Sequence, residues 1–458
     1  MPSISVVRRI ESNQLPLFHL QNRPKADDQA TFKDPAFASN KKIPVHRWVP
    51  WIAGFSSNFT RGAIEKYLPS KGLVLDPFAG VGTSLIEAAY AGHKTIGFEI
   101  NPYAALAART KLNAFRADLN IFHNAIERLN AFTTARSSAV YQPSSVPPAG
   151  FRTRGEFYSP KVLRKVLVVQ DFIATLEGTF LKDLFRVAFG ATMVSYSNYS
   201  YEPSLGQRKS AGRDDIEDYP VFDVTLRKLR EMAEDIAVLQ SDKDWGEARG
   251  FVHNESFFNC KKVMQPGTVD LIVTSPPYLN NYHYNRNTRP HLYWLGFVIC
   301  PEDMKPLENG NFGKFWQTVR EETRIDLNFH LDNCDLSKRL EQMRKIHPEK
   351  GIYGGNGWAN YAASYFNDCY RFAKCAKYVL KRGSTALVVV GNSILQGMMI
   401  PTDRYLAKIA ETAGMKLVGI HIPRATRVGN SIIQSNVRVE KAQESHTLYE
   451  AIVELQKR

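Results

Sequence analysis

The apolar residues of this chain form short continuous runs that alternate with longer stretches of helical spacing. The run "LVLDPF" (73–78) predicts a buried strand, and "TSLIEAAYAGH" (83–93) predicts the helix that follows it. A second strand, "KTIGFEI" (94–100), leads into a second helix, for which Asn101 is placed as the cap and Pro102 in the first turn. Strands and helices that alternate at this pitch predict a parallel α/β sheet.

Two segments interrupt this alternation. Residues 114–250 carry helical patterns and little strand, and their middle, "SYSNYSYEPSLGQRKSAGRDD" (195–215), is rich in tyrosine, serine and basic residues. We therefore expect a helical insertion with a long exposed loop. Residues 301–357 form a second, polar interruption. The α/β pattern continues elsewhere, through strands at 269–278, 384–393 and 415–423 and helices at 358–380 and 403–414.

The chain has 458 residues and a formal net charge of +14, with 44% apolar residues. The apolar fraction is sufficient for a real core and argues against global disorder. The positive excess favours a polyanionic partner, nucleic acid first, although charge alone fits a merely soluble surface equally well. Because acidic residues are interspersed throughout, any basic surface must be local.

Cysteine usage and hydropathy limit the cellular setting. The five cysteines form no CxxC pair, which argues against a disulfide framework or a zinc site and predicts reduced thiols. No apolar run approaches the length of a membrane span, and the first 30 residues lack a signal-type apolar block. The expectation is a cytoplasmic protein with no membrane partner and no metal.

The turn "DPFAGVGT" (76–83) lies between the first strand and its helix. Gly80 and Gly82 allow a sharp turn and a close approach of a ligand to the helix start. The turn lacks the third glycine of a dinucleotide fingerprint and the Lys-Ser/Thr of a phosphate loop, so NAD and ATP are disfavoured.

Two acids border this turn and suggest the ligand. Asp76 at the strand end would repel a pyrophosphate and suits an amino-acid ammonium. Glu99 ends the next strand, where an acid typically holds a ribose diol. S-adenosylmethionine contains both groups. In the alternative interpretation, Asp76 caps the turn and Glu99 caps the following helix.

The stretch "TSPPY" (274–278) ends a strand in a stiff, aromatic-tipped loop. An exocyclic amine on a nucleobase is a poor nucleophile until acceptors hold its hydrogens and favour a pyramidal nitrogen. The hydroxyl of Ser275 and the carbonyl of Pro276 can accept those hydrogens, because the two prolines fix the backbone. Tyr278 can stack on the base. Alone, the stretch also fits a plain proline turn.

Taken together, these motifs resemble those of the DNA amino methyltransferases, which modify cytosine N4 or adenine N6. "LVLDPFAGVGTSLIEA" resembles their cofactor motif, "GFEIN" their acidic motif, and "TSPPY" their catalytic motif in the serine form typical of cytosine-N4 enzymes. "HNESFFN" (253–259) resembles the motif whose acid, here Glu255, contacts the cofactor adenine. "HRWVPWIAGFSSNF" (46–59) resembles the motif that closes over the methionine end, with Phe55 as the expected contact.

The resemblance implies a class I S-adenosylmethionine-dependent methyltransferase fold: a Rossmann-like, seven-stranded, mostly parallel sheet with a reversed final strand and, here, a mainly helical insertion. It also implies extrusion of the target base, which the paired amine requires physically. The catalytic residues are expected to be Ser275, Pro276, Pro277 and Tyr278. The expected cofactor-binding residues are Phe55, Asp76, Pro77, Phe78, Ala79, Gly80, Gly82, Thr83, Glu99, Ile100, Asn101, Glu255 and Ser256.

Six segments follow from the pattern and the resemblance. They are a flexible N-terminal arm (1–41), the cofactor half of the core (42–113), the helical insertion as a DNA-recognition candidate (114–250), the catalytic half (251–300), the polar insertion as a further DNA-contact candidate (301–357), and the C-terminal strands and helices of the core (358–458).

Double-stranded DNA is the expected partner, and a cognate restriction endonuclease is a candidate second one. The inserted segment and the stretch after the catalytic motif supply basic, amide and aromatic side chains for phosphates and base edges. The expected DNA-binding residues are Arg152, Arg154, Tyr199, Tyr201, Arg208, Lys209, Arg213, Asn281, Arg286 and Arg289. The predicted activity is site-specific cytosine-N4 methylation; adenine-N6 methylation, RNA amine methylation and non-catalytic nucleic-acid binding remain the alternatives.

Overall fold

The computed structural model describes residues 37–51, 56–137, 141–201, 204–241, 250–280, 282, 284–427 and 447–458. The described strands are, in chain order, β1 (Leu73–Asp76), β2 (Lys94–Phe98), β3 (Tyr199–Tyr201), β4 (Leu205–Gln207), β5 (Gly250–His253), β6 (Val269–Thr274), β7 (Leu380–Gly391), β8 (Ser393–Leu395), β9 (Met398–Ile400), β10 (Met415–Arg427) and β11 (Thr447–Lys457). The described helices are α1 (Ser57–Tyr67), α2 (Thr83–Tyr90), α3 (Pro102–Leu112), α4 (Leu119–Ala135), α5 (Pro160–Thr175), α6 (Thr179–Thr192), α7 (Val221–Ser241), α8 (Cys260–Val263), α9 (Tyr284–Trp294), α10 (Met304–Gly310), α11 (Trp316–Val319), α12 (Leu336–Arg344), α13 (Gly355–Val379) and α14 (Thr402–Thr412).

Seven strands form one sheet in the order β10–β11–β7–β6–β1–β2–β5. β5, β2, β1, β6 and β7 are parallel, and β11 runs antiparallel to both β7 and β10. On one side of β1 the strands follow in the order β2 and β5, and on its other side they follow in the order β6 and β7. In such sheets a ligand cleft opens at the carboxyl ends of the strands where the direction of growth reverses, here between β1 and β6. The predicted class I methyltransferase fold is confirmed.

Helices cover both faces of this sheet. α13 and α14 belong to one apolar core with β7, β10 and β11, whereas α2 and α3 share a second core with α4, α5, α6 and α7. The inserted segment 114–250 is therefore continuous with the packing around α2 and α3. It supports the cofactor half of the sheet directly.

Asp235 in α7 ties the insertion to the segment that precedes the cofactor motif. Its carboxylate accepts hydrogen bonds from the Val45 amide (2.7 Å), the Trp48 indole (2.9 Å) and the Arg47 guanidinium (2.6 Å). Val45 has a φ of 65°, a left-handed backbone that a β-branched residue rarely adopts. These contacts stabilise the turn that precedes Trp51, a residue that lines the cofactor cleft described below.

Three expectations about secondary structure need correction. Residues 37–42 form a 3₁₀ helix rather than the end of a flexible arm, and the Asn40 side chain accepts a hydrogen bond from the Ser57 amide; residues 1–36 lie outside the described part. The long exposed loop contains the hairpin of β3 and β4, in which Tyr199 is buried. β5 was missed because its four residues are too short to show a period.

Two further observations concern the cysteines and the length of the helices. All five cysteines are free, and three of them are buried. In the part of the chain that the structure describes, no helix combines the length and apolar character needed to cross a bilayer.

Candidate active site

A cleft lies at the carboxyl ends of β1, β2, β5 and β6. It encloses about 870 Å³ of space free of protein atoms, part of which is open to solvent, a size within the usual range of small-molecule sites. The cleft is lined by Trp51, Pro77, Phe78, Ala79, Gly80, Val81, Thr83, Phe98, Glu99, Ile100, Asn101, Glu255, Ser256, Phe257, Ser275, Pro277, Tyr284, Asn285, Gly310, Asn311 and Phe312.

The glycine turn between β1 and α2 forms the floor of this cleft. Gly80 and Gly82 have φ values of 51° and 87°, which L-residues rarely adopt. A Cβ on Gly82 would also lie 3.0 Å from the Ala108 Cβ, so this glycine allows the turn to pack tightly on α3. A Cβ on Gly80 would lie 3.2 Å from the Trp51 indole nitrogen. The backbone conformation at both positions therefore favours glycine over any residue with a side chain.

Asp76 lies behind the cleft rather than in its lining. It is fully buried, and its carboxylate accepts hydrogen bonds from the Phe78 amide (3.0 Å), the Thr274 hydroxyl (2.7 Å) and the Ser84 hydroxyl. Burial raises the pKa of Asp76 to about 6, against the effect of these donors. The expected direct contact with an ammonium group is thus replaced by a positioning role: Asp76 joins β1, the glycine turn and β6.

Glu99 points into the cleft from the end of β2. Its two carboxylate oxygens accept hydrogen bonds from the amides of Gly80 (2.8 Å) and Asn101 (2.7 Å). Burial raises the pKa of Glu99 to about 7, while these amide donors oppose the rise. Each oxygen retains a second lone pair, so the fixed carboxylate can accept hydrogen bonds from a vicinal diol.

An aromatic slot borders Glu99. The rings of Phe98 and Phe257 meet edge to face at 5.3 Å, and those of Phe78 and Phe312 at 5.1 Å. Ser256 donates a hydrogen bond to the Gly310 carbonyl (2.9 Å) at the rim. A planar purine can lie in this slot beside a diol held by Glu99, and Glu255 lines the same end. The residues present therefore fit an adenosine group.

The catalytic-motif residues divide between the cleft and the protein interior. Ser275 and Pro277 line the cleft, and the Pro277 carbonyl accepts a hydrogen bond from the Tyr365 hydroxyl of α13 (3.1 Å). Pro276 is buried. The stiff loop is therefore anchored from the C-terminal part of the core.

Tyr278 is held away from the cofactor cleft. Its hydroxyl donates to the Glu450 carboxylate (3.1 Å), and its ring lies against Gly391, 3.1 Å from where a Cβ would stand. The pKa of Tyr278 is raised well above its ordinary value, chiefly by burial and by Glu450, whereas a hydrogen bond from Ser275 lowers it. The Tyr278 hydroxyl thus links the catalytic loop to Glu450 on β11. Stacking of Tyr278 on a base stays a prediction.

Comparison with known proteins shows which methyltransferases this chain resembles. A family model for N6 and N4 methyltransferases, described as DNA methylase, matches residues 29–109. The Type II methyltransferase M.BsoBI of Geobacillus stearothermophilus is 23% identical, across 86% of this chain and 83% of its own length. The Type II methyltransferase M.AvaI of Nostoc sp. is 24% identical, across 92% of this chain and 89% of its own.

This chain is similar to DNA amino methyltransferases: the family model covers its cofactor-motif region, and the Type II relatives align with most of its length. Among solved structures, the rRNA methyltransferase aviRa from Streptomyces viridochromogenes aligns with 92% of this chain and 94% of its own, at 9% identity. The TM-score of 0.27 is too low for that alignment to carry an argument. The methyltransferases that this chain resembles imply use of S-adenosylmethionine, and the residues around Glu99 fit its adenosine group.

A basic groove accompanies the cofactor cleft. It encloses about 960 Å³, part of it open to solvent, and its lining includes no aspartate or glutamate among the described residues. Five of the predicted DNA-binding residues meet there, together with Gln207 and Ser210: Arg152, Arg154, Tyr199, Arg286 and Arg289.

Other predicted DNA contacts fall beside the groove. The Arg208 guanidinium donates to the Asp214 carbonyl (2.9 Å), and the Lys209 ammonium lies 2.7 Å from the Asp215 carboxylate. The Arg213 amide donates to the Arg208 carbonyl (3.0 Å). Tyr201 donates to the Asn287 carbonyl (3.1 Å) and lines a different cavity. Asn281 and Phe55 lie outside the described residues.

An aromatic cavity of about 880 Å³, partly open to solvent, shares Trp51 and Tyr284 with the cofactor cleft. Tyr103, Tyr201 and Tyr282 form much of its remaining wall. Helix α9, the first helix after the catalytic loop, contributes residues to all three spaces: the cofactor cleft, the aromatic cavity and the basic groove.

Sequence reasoning missed several residues that line the cofactor cleft. Trp51 lies within the aromatic stretch 46–59, in which the resemblance predicts Phe55 as the contact, so the sequence does carry a signal for it. Gly310 and Phe312 belong to the polar insertion, for which the sequence predicts only DNA contact. No motif or periodicity distinguishes them, and their place in the cleft depends on how the insertion folds back.

Proposed function

We propose that this protein is a site-specific DNA methyltransferase that transfers a methyl group from S-adenosylmethionine to the N4 amine of a cytosine extruded from the duplex. We further propose that it protects DNA in a restriction–modification system with a cognate endonuclease. The observation that carries the activity is the shared cleft, in which Gly80 and Glu99 face the same space as Ser275 and Pro277.

The chain's own residues can position and activate the target amine. S-adenosylmethionine supplies an electrophilic methyl group on a sulfonium. The Ser275 hydroxyl lines the cleft, and its oxygen lone pairs can accept a hydrogen of the amine. The Pro276 carbonyl is the second proposed acceptor. With both hydrogens held, the nitrogen lone pair is directed out of the base plane and toward the methyl group.

The base must reach this site from DNA bound outside it. The arginine groove supplies phosphate contacts, and the aromatic cavity next to it offers tyrosine faces on which an extruded base can stack. α9 contributes to both spaces. We propose this path for base extrusion because it joins the basic surface to the cofactor cleft through side chains that favour planar, uncharged groups.

Methyl transfer to duplex DNA tests the proposed function directly. The protein is incubated with duplex DNA and methyl-labelled cofactor, and the DNA is digested to nucleosides. We expect label in N4-methylcytosine. Label found only in N6-methyladenine would show that adenine, and not cytosine, is the substrate. A preference for transfer RNA would indicate an RNA methyltransferase, and absence of cofactor binding would reject the catalytic proposal.

The restriction–modification proposal is tested by exposing host DNA to the partner nuclease. We expect this methylation to prevent cleavage of the DNA.

Cofactor affinity is expected to rise with pH. The pKa of Glu99 is raised to about 7 by burial, so below that pH the carboxyl is largely protonated. A diol donates best to the ionised form, and affinity therefore increases as the pH passes upward through 7, roughly tenfold between pH 6 and 8. Calorimetry with S-adenosylhomocysteine measures this change. Glu99→Gln should bind more weakly at pH 8 and with less pH dependence; a pH-independent wild type would contradict the assignment.

The arginine groove predicts a measurable salt effect. Replacing both Arg152 and Arg289 by alanine should weaken DNA binding and reduce the slope of log affinity against log salt by about 1 to 2, because fewer phosphate counterions are released. Arg382→Ala is the matched control, since this exposed arginine lies in the first part of β7, remote from the carboxyl edge. An unchanged slope in the double variant would exclude the groove as the phosphate-binding surface.

A further inference from the structure

Asn285 is a buried polar residue in the cofactor cleft whose side chain has no assigned role. It lies in the first turn of α9 and is 1% exposed. Neither its amide oxygen nor its amide nitrogen has a hydrogen-bond partner among the described residues. Leaving both groups buried and unpaired costs about 1–3 kcal/mol each. A native fold tolerates that arrangement where a ligand completes the bonds.

The neighbouring side chains show that Asn285 is not needed to dock its own helix. One turn later, Thr288 accepts a hydrogen bond from the Asn101 side chain (2.6 Å), which fastens α9 to the start of α3. Asn287, on another face, accepts a hydrogen bond from the Leu205 amide (2.7 Å). These two residues satisfy the helix contacts, and Asn285 itself lines the cofactor cleft.

The chemistry of the Asn285 amide favours one part of the cofactor. Glu99 and the phenylalanine slot fit the adenosine group. The same cleft contains Thr83 at the start of α2, and Trp51. A helix start favours a carboxylate through its free amides. The amino-acid end of the cofactor carries a carboxylate beside an ammonium, that is, an acceptor group next to a donor group.

We propose that Asn285 binds the amino-acid end of S-adenosylmethionine, with its amide nitrogen donating to the carboxylate and its amide oxygen accepting from the ammonium. This inference rests on the proposed function. A neutral amide matches a zwitterion because it bonds both charges without repelling either. Asp76, whose oxygens are occupied by protein donors, does not supply the ammonium contact, and Asn285 takes that place.

Asn285→Leu tests the assignment with two probes. S-adenosylhomocysteine contains the amino-acid end, and 5′-methylthioadenosine lacks it. We expect the variant to bind S-adenosylhomocysteine about 10- to 100-fold more weakly, as the loss of two hydrogen bonds predicts, and to bind methylthioadenosine within twofold of wild type. Thermal unfolding without ligand should be unchanged or shifted upward, because leucine removes two unpaired polar groups at similar volume.

Asn287→Leu is the matched control on the same helix. It leaves the Leu205 amide without its acceptor and should lower the unfolding temperature. If Asn285→Leu leaves the affinity for S-adenosylhomocysteine unchanged while methyl transfer falls, the amide faces the base and the proposal is overturned. Equal weakening of both probes overturns it as well, since the whole cleft is then disturbed. A wild type that binds neither probe rejects the proposed function itself.

Discussion

Ser275→Ala is expected to lower the rate of methyl transfer at saturating substrates by about 10²- to 10³-fold, the range seen when one preorganised hydrogen-bonding group is removed from a reaction centre. The dissociation constant of S-adenosylhomocysteine should change less than about threefold. The reason is that the proposed partner of the Ser275 oxygen is the target amine, whereas the proposed cofactor contacts are Glu99, the aromatic slot and Asn285.

The anchoring of the loop behind Ser275 supports this expectation. Tyr278, directly after the two prolines, donates to the Glu450 carboxylate (3.1 Å), so the Ser275 hydroxyl is presented from a held loop as an acceptor for the amine. Alanine removes that acceptor and leaves the loop backbone fixed by its two prolines and by the Tyr365 bond to the Pro277 carbonyl.

Single-turnover methylation and calorimetry separate the two effects. Ser70→Ala serves as the control, because Ser70 is exposed before β1, at the edge of the sheet opposite the cleft. Equal losses of rate and of S-adenosylhomocysteine affinity in Ser275→Ala would show that the serine holds the cofactor instead of the amine.

The sheet and the glycine turn could be predicted because local sequence determines them. The continuous apolar runs at β1, β2, β6 and β7 are typical of strands buried on both faces. Gly80 and Gly82 are demanded by backbone angles that the motif already implied. Parallel strands place their carboxyl ends at one edge, so Glu99 and Ser275 were expected in one cleft before any distance was known.

Other parts of the site depend on long-range packing. Phe312 reaches the cleft only because the polar insertion folds back, with Gly310 so close to Ile100 that a Cβ would lie 2.4 Å from its side chain. Tyr278 follows the catalytic prolines directly, yet its hydroxyl is drawn to Glu450 on β11, 172 residues away in sequence. Sequence periodicity carries no information about either contact.

The contacts of Asp76 also depend on long-range packing that the sequence does not reveal. Its substitution is the second change for which we expect a large effect, here on stability. Asp76→Ala is expected to lower the free energy of unfolding by about 3 kcal/mol or more, because three buried donors lose one shared acceptor. Cofactor affinity should fall as a consequence, since the glycine turn and β6 are no longer joined. Urea unfolding and calorimetry with S-adenosylhomocysteine measure the two quantities.

Asp76→Asn distinguishes a positioning role from a direct one. Its amide oxygen can keep the bonds from the Phe78 amide and the Thr274 hydroxyl, and Ser84 can rotate to accept from the new amide nitrogen. We therefore expect near-native cofactor affinity and a loss of stability below about 1.5 kcal/mol. If asparagine weakens S-adenosylhomocysteine as strongly as alanine does, the negative charge acts on the ligand directly.

The stabilities of the wild type and of Asp76→Asn should depend differently on pH, and the sign of this difference follows from the direction of the pKa shift of Asp76. Burial raises the pKa of Asp76 from 3.8 to about 6, so the folded state binds the proton more tightly than the unfolded state. The wild type therefore loses stability as the pH rises from about 4 to about 6, whereas the neutral asparagine does not titrate. The stability of Asp76→Asn relative to wild type should thus improve between pH 4 and pH 7. A difference that stays constant across this range would mean that Asp76 is ionised in the fold at no cost, in which case a compensating positive charge must face it.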